Sequence, residues 1–266
     1  MRKAFKLFLC LFSLTICFGF GEFSEKKSTH FIIYYKDIPE DFLENVLEYS
    51  ERYYEELTEK LGFRRFNYWT WDNRAKIYIF ADKEMFEKEM NQPSWAGGIA
   101  SYVDKTIWTF PQESGFFDTL LPHEIGHIVF REVIGAHHNV PLWLEEGVAQ
   151  YLEQAKRIGA EKHVLNAMAD GTFIPFKELM TMNSLTLRSG GDVKVFYAEA
   201  SSLVNFLIQK YGVDSFNNFC SKLKDGKNFN DALSYAYFYI RSASDLGVAW
   251  EQYLKDKLKV KDKMIL

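Results

Sequence analysis

His123, Glu124 and His127 stand within five residues of one another, in the stretch LPHEIGHIVF. Side chains four apart on a helix lie one above the other, so these two imidazoles can hold one metal ion from a single face. Glu124, one residue on, points to the side of that face, where a carboxylate reaches a water beside the ion rather than the ion itself. His-Glu-x-x-His is the pattern of a zinc site with a glutamate as general base. The plainer reading is a core helix with three tolerated polar residues. A catalytic zinc takes three protein ligands and keeps one position open, so a third ligand decides between the two.

The extended pattern with glycine and histidine three and six residues beyond the second histidine is absent, since Phe130 and Val133 hold those positions. Four other candidate donors follow. His137 and His138 lie in the polar stretch GAHHNV, which reads better as a solvated loop, and Glu145 and Glu146 lie in WLEEGVAQY. HEIGH, with 18 residues between its last histidine and Glu146 of WLEEGVAQY, resembles the gluzincin metallopeptidases, whose pattern is H-E-x-x-H-x18-E with the last glutamate before glycine. The resemblance puts the third ligand at Glu146, with Glu145 at the variable place beside it. One helical residue rotates about 100 degrees, so the two cannot ligate equally well. Two antiparallel helices joined by a loop would aim His123, His127 and Glu146 at one point, with Gly147 and Ala149 allowing close approach.

The elements that must position these groups are legible as a pattern. FIIYY at 31–35 reads as a strand, 39–61 as a long amphipathic helix between Pro39 and Gly62, and AKIYIFA at 75–81 as a half-buried strand. A short helix is expected near 82–90, then a hairpin or bent edge from IASYV and TIWTF. Thereafter the chain reads as helices: 116–134 closed by Gly135, a single helix from Pro141 to Gly159, and others near 161–169, 193–211, 214–224, 229–237 and 242–258. Strands before about residue 112 and helices after it predict an α+β fold. The expected division is a leader at 1–21, an α/β lobe at 22–135 ending in the histidine helix, and a helical lobe at 136–266, with a cleft between the lobes.

The resemblance reaches beyond the motif. VFYAEASSLVNFLIQKYG, FNNFCSKLKDGKNFNDALSYAY and SASDLGVAWEQYL are similar to the helical tail of exported bacterial peptidase MA-like domains, and PSWAGGIASYV fits their edge strand. It implies a zincin-like fold, one Zn²⁺ per chain and a peptide or protein substrate. It also implies an oxyanion-stabilising tyrosine from the C-terminal lobe, matched by Tyr197, whose plainer reading is a core aromatic. Large gluzincin aminopeptidases carry G-x-M-E-N on the edge strand. GGIASYVDK has no acidic residue there, which favours an endopeptidase with substrate added as a strand along 99–103. Gln150 stands four residues after Glu146, where such enzymes often place a carboxylate that orients a histidine. The alternative is a catalytically inactive zincin-fold binding domain.

Composition bounds the rest. The 266 residues carry a net charge of −4 and are 47% hydrophobic and 17% aromatic, enough for a sizeable core. No basic stripe suggests nucleic acid. MRKAFKLFLCLFSLTICFGFGEF has the basic start, short apolar run and small-x-small site (Gly19, Gly21) of a secretory signal. Its removal takes away three positive charges, leaving −7, and predicts an exported domain without stable membrane insertion. An uncleaved segment would instead act as an N-terminal anchor. Cys10 and Cys17 fall in that leader, so Cys220 has no internal disulfide partner and reads as a buried small residue.

Overall fold

The computed structural model describes residues 23–63, 69–92, 94, 96–135, 138–183, 186–187 and 193–265. The expected leader lies outside them. Five strands, β1 (Ser24–Lys27), β2 (Phe31–Tyr35), β3 (Ala75–Ile79), β4 (Gly98–Ser101) and β5 (Thr106–Thr109), form one mixed sheet in the order β1-β2-β3-β5-β4. The centre is parallel, because α1 (Glu40–Lys60) crosses from β2 to β3 and α2 (Lys83–Met90) lies between β3 and the β4–β5 hairpin. Both edge strands run antiparallel to their neighbours.

Side-chain alternation sorts the two faces of this sheet. Ile33, Ile77 and Ile107 share one register line and are fully buried in the main core. Tyr34, Tyr78 and Trp108 share the next line on the opposite face, where their rings stack at 4.6 and 6.1 Å. Beneath them Phe80, Phe86, Ala96 and Phe110 make a small second core. β1 was not expected. Its sequence, SEKK, has no buried alternation, and what makes it a strand is pairing with β2.

The remainder is helical: α3 (Leu121–Ile134), α4 (Leu142–Ala149), α5 (Gln154–Asp170), α6 (Phe176–Leu179), α7 (Val193–Tyr211), α8 (Val213–Lys224), α9 (Phe229–Ala236) and α10 (Ala243–Ile265). The α+β architecture expected from the sequence is therefore present. One boundary differs. The helix expected to run from Pro141 to Gly159 breaks at a 3₁₀ turn, Gln150–Leu152, and Glu153 leaves helical geometry (φ −71°, ψ 78°). Gly159 ends nothing; it lies inside α5, whose C-terminal cap is Gly171 at φ 73°. Among the described residues no helix is long and apolar enough to cross a membrane.

Candidate metal centre

α3 emerges from a π-helical turn, Phe116–Leu120, that starts at Gly115 with φ 80°. Wide turns of this kind leave a carbonyl without its helical partner, and here Tyr53 donates its hydroxyl to the Phe117 carbonyl at 2.6 Å. α3 is buried on most sides, with Ile125, Ile128 and Phe130 fully enclosed. α4 packs against it without any spacer. A Cβ on Gly126 would stand 2.8 Å from the Ala149 Cα, and one on Gly147 would stand 2.4 Å from the Ala200 carbonyl oxygen of α7. Three helices thus touch backbone to backbone, and that contact brings the side chains of α3 and α4 together.

The donors converge. His123 Nε2 lies 3.0 Å from His127 Nε2, and Glu146 Oε2 lies 3.5 and 3.7 Å from those two nitrogens. A tetrahedral ion with bonds of about 2.0–2.1 Å has ligand-to-ligand edges of about 3.3–3.4 Å, within the span of these separations. Glu146 Oε2 is buried and has no hydrogen-bond partner, which is costly for a carboxylate oxygen unless a cation meets it. Four carboxylates, Glu124, Glu145, Glu146 and Glu153, crowd this region, and the guanidinium of Arg131 neutralises only one. Two imidazole nitrogens and one carboxylate oxygen, with a fourth position open, are a donor set that suits zinc.

Burial and neighbouring charge shift His123, Glu124, His127 and Glu146. Burial pushes the Glu146 carboxyl up to about 7, eased by His123 and aggravated by Glu145, Glu124 and Glu153. Burial likewise raises Glu124. His127 is held well below the usual imidazole range by burial, then by His123 and Arg131, so it presents a neutral ring. His123 is raised: its burial acts downward but is outweighed by the Glu153 hydrogen bond and the charges of Glu124, Glu146 and Glu153.

Each histidine has a carboxylate at its back. His123 Nδ1 donates to Glu153 Oε1 at 2.9 Å, which turns Nε2 toward Glu146. Glu145 Oε1 lies 3.7 Å from His127 Nδ1, and Arg131 holds both its oxygens, one of them from Nε at 2.7 Å. Arg131 also donates to the His138 carbonyl at 2.9 Å. Glu145 is therefore committed to Arg131 and stands behind His127, outside the converging group. Of the two loop histidines, His138 is likewise outside that group, and His137 lies outside the described residues.

Glu153 was missed, and Gln150 was named in its place. Gln150 instead lines the cavity beside Glu124. Helical spacing does not find Glu153: the 3₁₀ turn at Gln150–Leu152 redirects the chain so that this carboxylate meets His123. Arg131 was legible, four residues after His127 on the same face. Tyr102, in the turn after β4, packs its ring 5.5 Å from that of His127, a contact that only the tertiary fold reveals.

A cavity of about 950 Å³ opens beside His123 and Glu124. Tyr197 lines it from α7, together with Gly97 and Gly98 at the start of edge strand β4. Burial, with the charges of Glu146, Glu124 and Glu153, pushes the Tyr197 phenol up to about 12, so at neutral pH it is a hydrogen-bond donor. The model of the peptidase MA superfamily matches residues 70–256. The chain belongs to the peptidase MA superfamily. That match begins just before β3 and ends within α10, so it covers the metal centre and its cavity together. Comparison with curated proteins gives no match.

Proposed function

We propose that this chain is an exported zinc-dependent endopeptidase, with His123, His127 and Glu146 holding one Zn²⁺ per chain. The observation that carries the reading is the meeting of those three donors beside Glu124 at the inner wall of a cavity. A zinc ion supplies Lewis acidity there, making water more acidic and a carbonyl more electrophilic. Glu124 takes the proton of the attacking water as the new C–O bond forms and delivers it to the amide nitrogen as the C–N bond breaks. Tyr197 donates its hydroxyl to the oxygen that gains negative charge. Glu153 fixes the His123 ring through its hydrogen bond to Nδ1, Glu145 stands 3.7 Å behind the His127 ring, and both Nε2 atoms face Glu146.

The outer edge of β4 is the place for substrate. It is the last strand of the sheet, and its start borders the cavity, so an extended peptide can add to it by main-chain hydrogen bonds. β4 reads GIAS and carries no acidic side chain that would hold a free amino terminus, which favours cutting within a chain. Export rests on the basic and apolar start of the sequence alone.

The metal content of protein purified without chelators tests the reading, measured together with Glu146→Ala. Close to one zinc per chain, much weakened in the variant, is the expected result. A natural protein that holds no zinc at neutral pH would instead support an inactive binding domain.

A further inference from the structure

β4 is the last strand of the sheet, and the hydrogen bonds of its neighbours fix which of its groups face outward. At the two ends of β5 the carbonyls of Lys105 and Thr109 accept from the backbone N–H groups of Lys76 and Phe80, at 2.8 and 2.9 Å, on the β3 side. Main-chain groups of successive strand residues point to opposite sides. Thr106 and Trp108 therefore face β4, where their partners are Ser101 and Ile99. Ile99 and Ser101 are committed to this ladder, and Gly98 and Ala100 turn their N–H and C=O groups away from the sheet.

The Gly97 carbonyl continues the alternation one residue before β4 and points inward. Thr109 Oγ1 and Gln112 Nε2 both donate to it, each at 2.9 Å. Thr109 is fixed by its own strand and fully buried. Gln112 follows β5, is partly buried and lines the cavity together with His123, Glu124 and Tyr197. A Cβ on Gly97 would stand 3.0 Å from Gln112 Nε2 and 3.0 Å from Leu120 Cδ1. Gly97 is thus wedged between the Gln112 amide and the π-helical turn that leads into α3. Two successive glycines, Gly97 and Gly98, lose much conformational freedom on ordering, and the side-chain bonds to the Gly97 carbonyl oppose that loss where the edge strand begins.

We infer that Gln112 is a positioning residue for substrate: it holds the Gly97 carbonyl inward and so presents the outward N–H and C=O groups of Gly98 and Ala100 to an extended peptide beside Glu124. The inference rests on the peptidase reading and adds to it a residue outside HEIGH and WLEEG. Gln112 bonds to the strand rather than to the metal donors, and the strand pairs with a peptide alike before and during the reaction. Loss of such uniform binding raises KM and leaves kcat unchanged.

The test uses full-length, zinc-loaded protein and a degenerate mixture of quenched fluorescent decapeptides, from which one cleaved sequence is carried forward. In Gln112→Ala the KM for that peptide should rise about 3–10-fold, the worth of one net hydrogen bond, with kcat and zinc content as in the parent. Gln112→Glu keeps the shape but, once ionised, cannot donate to the Gly97 carbonyl, and its KM should rise at least as far. Single N-methyl groups placed along the peptide give a second readout. In the parent their cost should fall on alternate N–H groups, and in Gln112→Ala that alternation should flatten. A parent-like KM in either variant, or a fall in kcat with KM constant, would overturn the inference while leaving the peptidase reading intact. So would an alternation as strong in Gln112→Ala as in the parent. Failure of the zinc-loaded parent to cleave anything in the mixture would overturn the peptidase reading and this inference with it.

Discussion

His127 and His123 face one point from one helix but stand in different surroundings. His127 is 5% exposed, with the Tyr102 ring against it and the Glu145–Arg131 pair behind it. His123 has the buried carboxylate of Glu153 at its back, and its other side opens with Glu124 and Tyr197 onto a cavity of about 950 Å³. One flank is closed by packing and paired charge, and the other is left roomy. Ligand geometry tolerates no slack, because a ring that rotates loses its lone pair's aim. Water and peptide need space. The centre meets both demands by setting them one turn apart along the same face of α3.

The two flanks should therefore fail differently. On the open flank the largest effect belongs to Glu124→Gln, which keeps the shape and removes the base. Turnover of a cleaved peptide should fall by about 10²–10⁴-fold, with zinc content unchanged by metal analysis. Zinc retained and turnover undiminished would remove Glu124 from the chemistry. Tyr197→Phe comes next. Losing one donor to the developing oxyanion should lower kcat by about 10²–10³-fold, with KM little altered. Tyr102→Phe, on the closed flank, is the internal control: a loss of kcat as large as that in Tyr197→Phe would erase the distinction between the flanks.

On the closed flank the damage should appear in metal affinity and stability before it appears in rate. Glu145→Ala strands the Arg131 guanidinium and leaves His127 Nδ1 without its nearest carboxylate. Zinc affinity, measured by competition with a chromogenic chelator, should fall roughly 10–100-fold. The denaturation midpoint should drop as well, since removing one partner of a buried pair costs up to about 3–5 kcal/mol. Glu153→Ala should match the loss of affinity. A variant of Glu145 with full affinity and full stability would show that Arg131 and its partner are not a support for His127.

The chemistry of the centre was more legible than its support. His123, Glu124 and His127 obey helical periodicity over one short span, which a sequence displays openly, and Glu146 followed from the resemblance to the gluzincin pattern. The α+β segregation is likewise a local pattern summed along the chain. What stayed hidden depended on contacts between distant segments. β1 is a strand because β2 lies beside it, not because SEKK prefers to be one. Glu153 reaches His123 because the backbone tightens at 150–152, where nothing in QYL marks a break. Gly159 looked like a helix end, as glycine often does, and only the structure shows that the helix runs on through it. Tyr102 acquires its place from the fold of the β4–β5 hairpin over α3.

The smallest effect lies on α7, the helix that presents Tyr197 to the cavity and turns Glu199 inward. Glu199 is fully buried and accepts the Ile174 backbone N–H at 2.9 Å, while its other oxygen has no partner. Burial, aggravated by the charge of Glu178, pushes its carboxyl from 4.5 to about 8. The fold therefore favours the protonated form, and the sign of the linkage follows. This group's contribution to stability is complete below about pH 4.5, declines as pH rises and is lost through about pH 8. Glutamine at this position keeps an acceptor for Ile174 and cannot ionise. Because Glu146, pushed up to about 7, titrates within the same range, the informative quantity is the difference in unfolding free energy between zinc-loaded parent and Glu199→Gln. That difference should be near zero at pH 4.5 and grow with pH to on the order of a few kcal/mol in favour of the variant. A difference that does not vary with pH would mean that Glu199 is ionised in the folded protein. The inner face of α7 would then hold a charge that no described side chain balances, and the helix positioning Tyr197 would be the weakest element of the open flank.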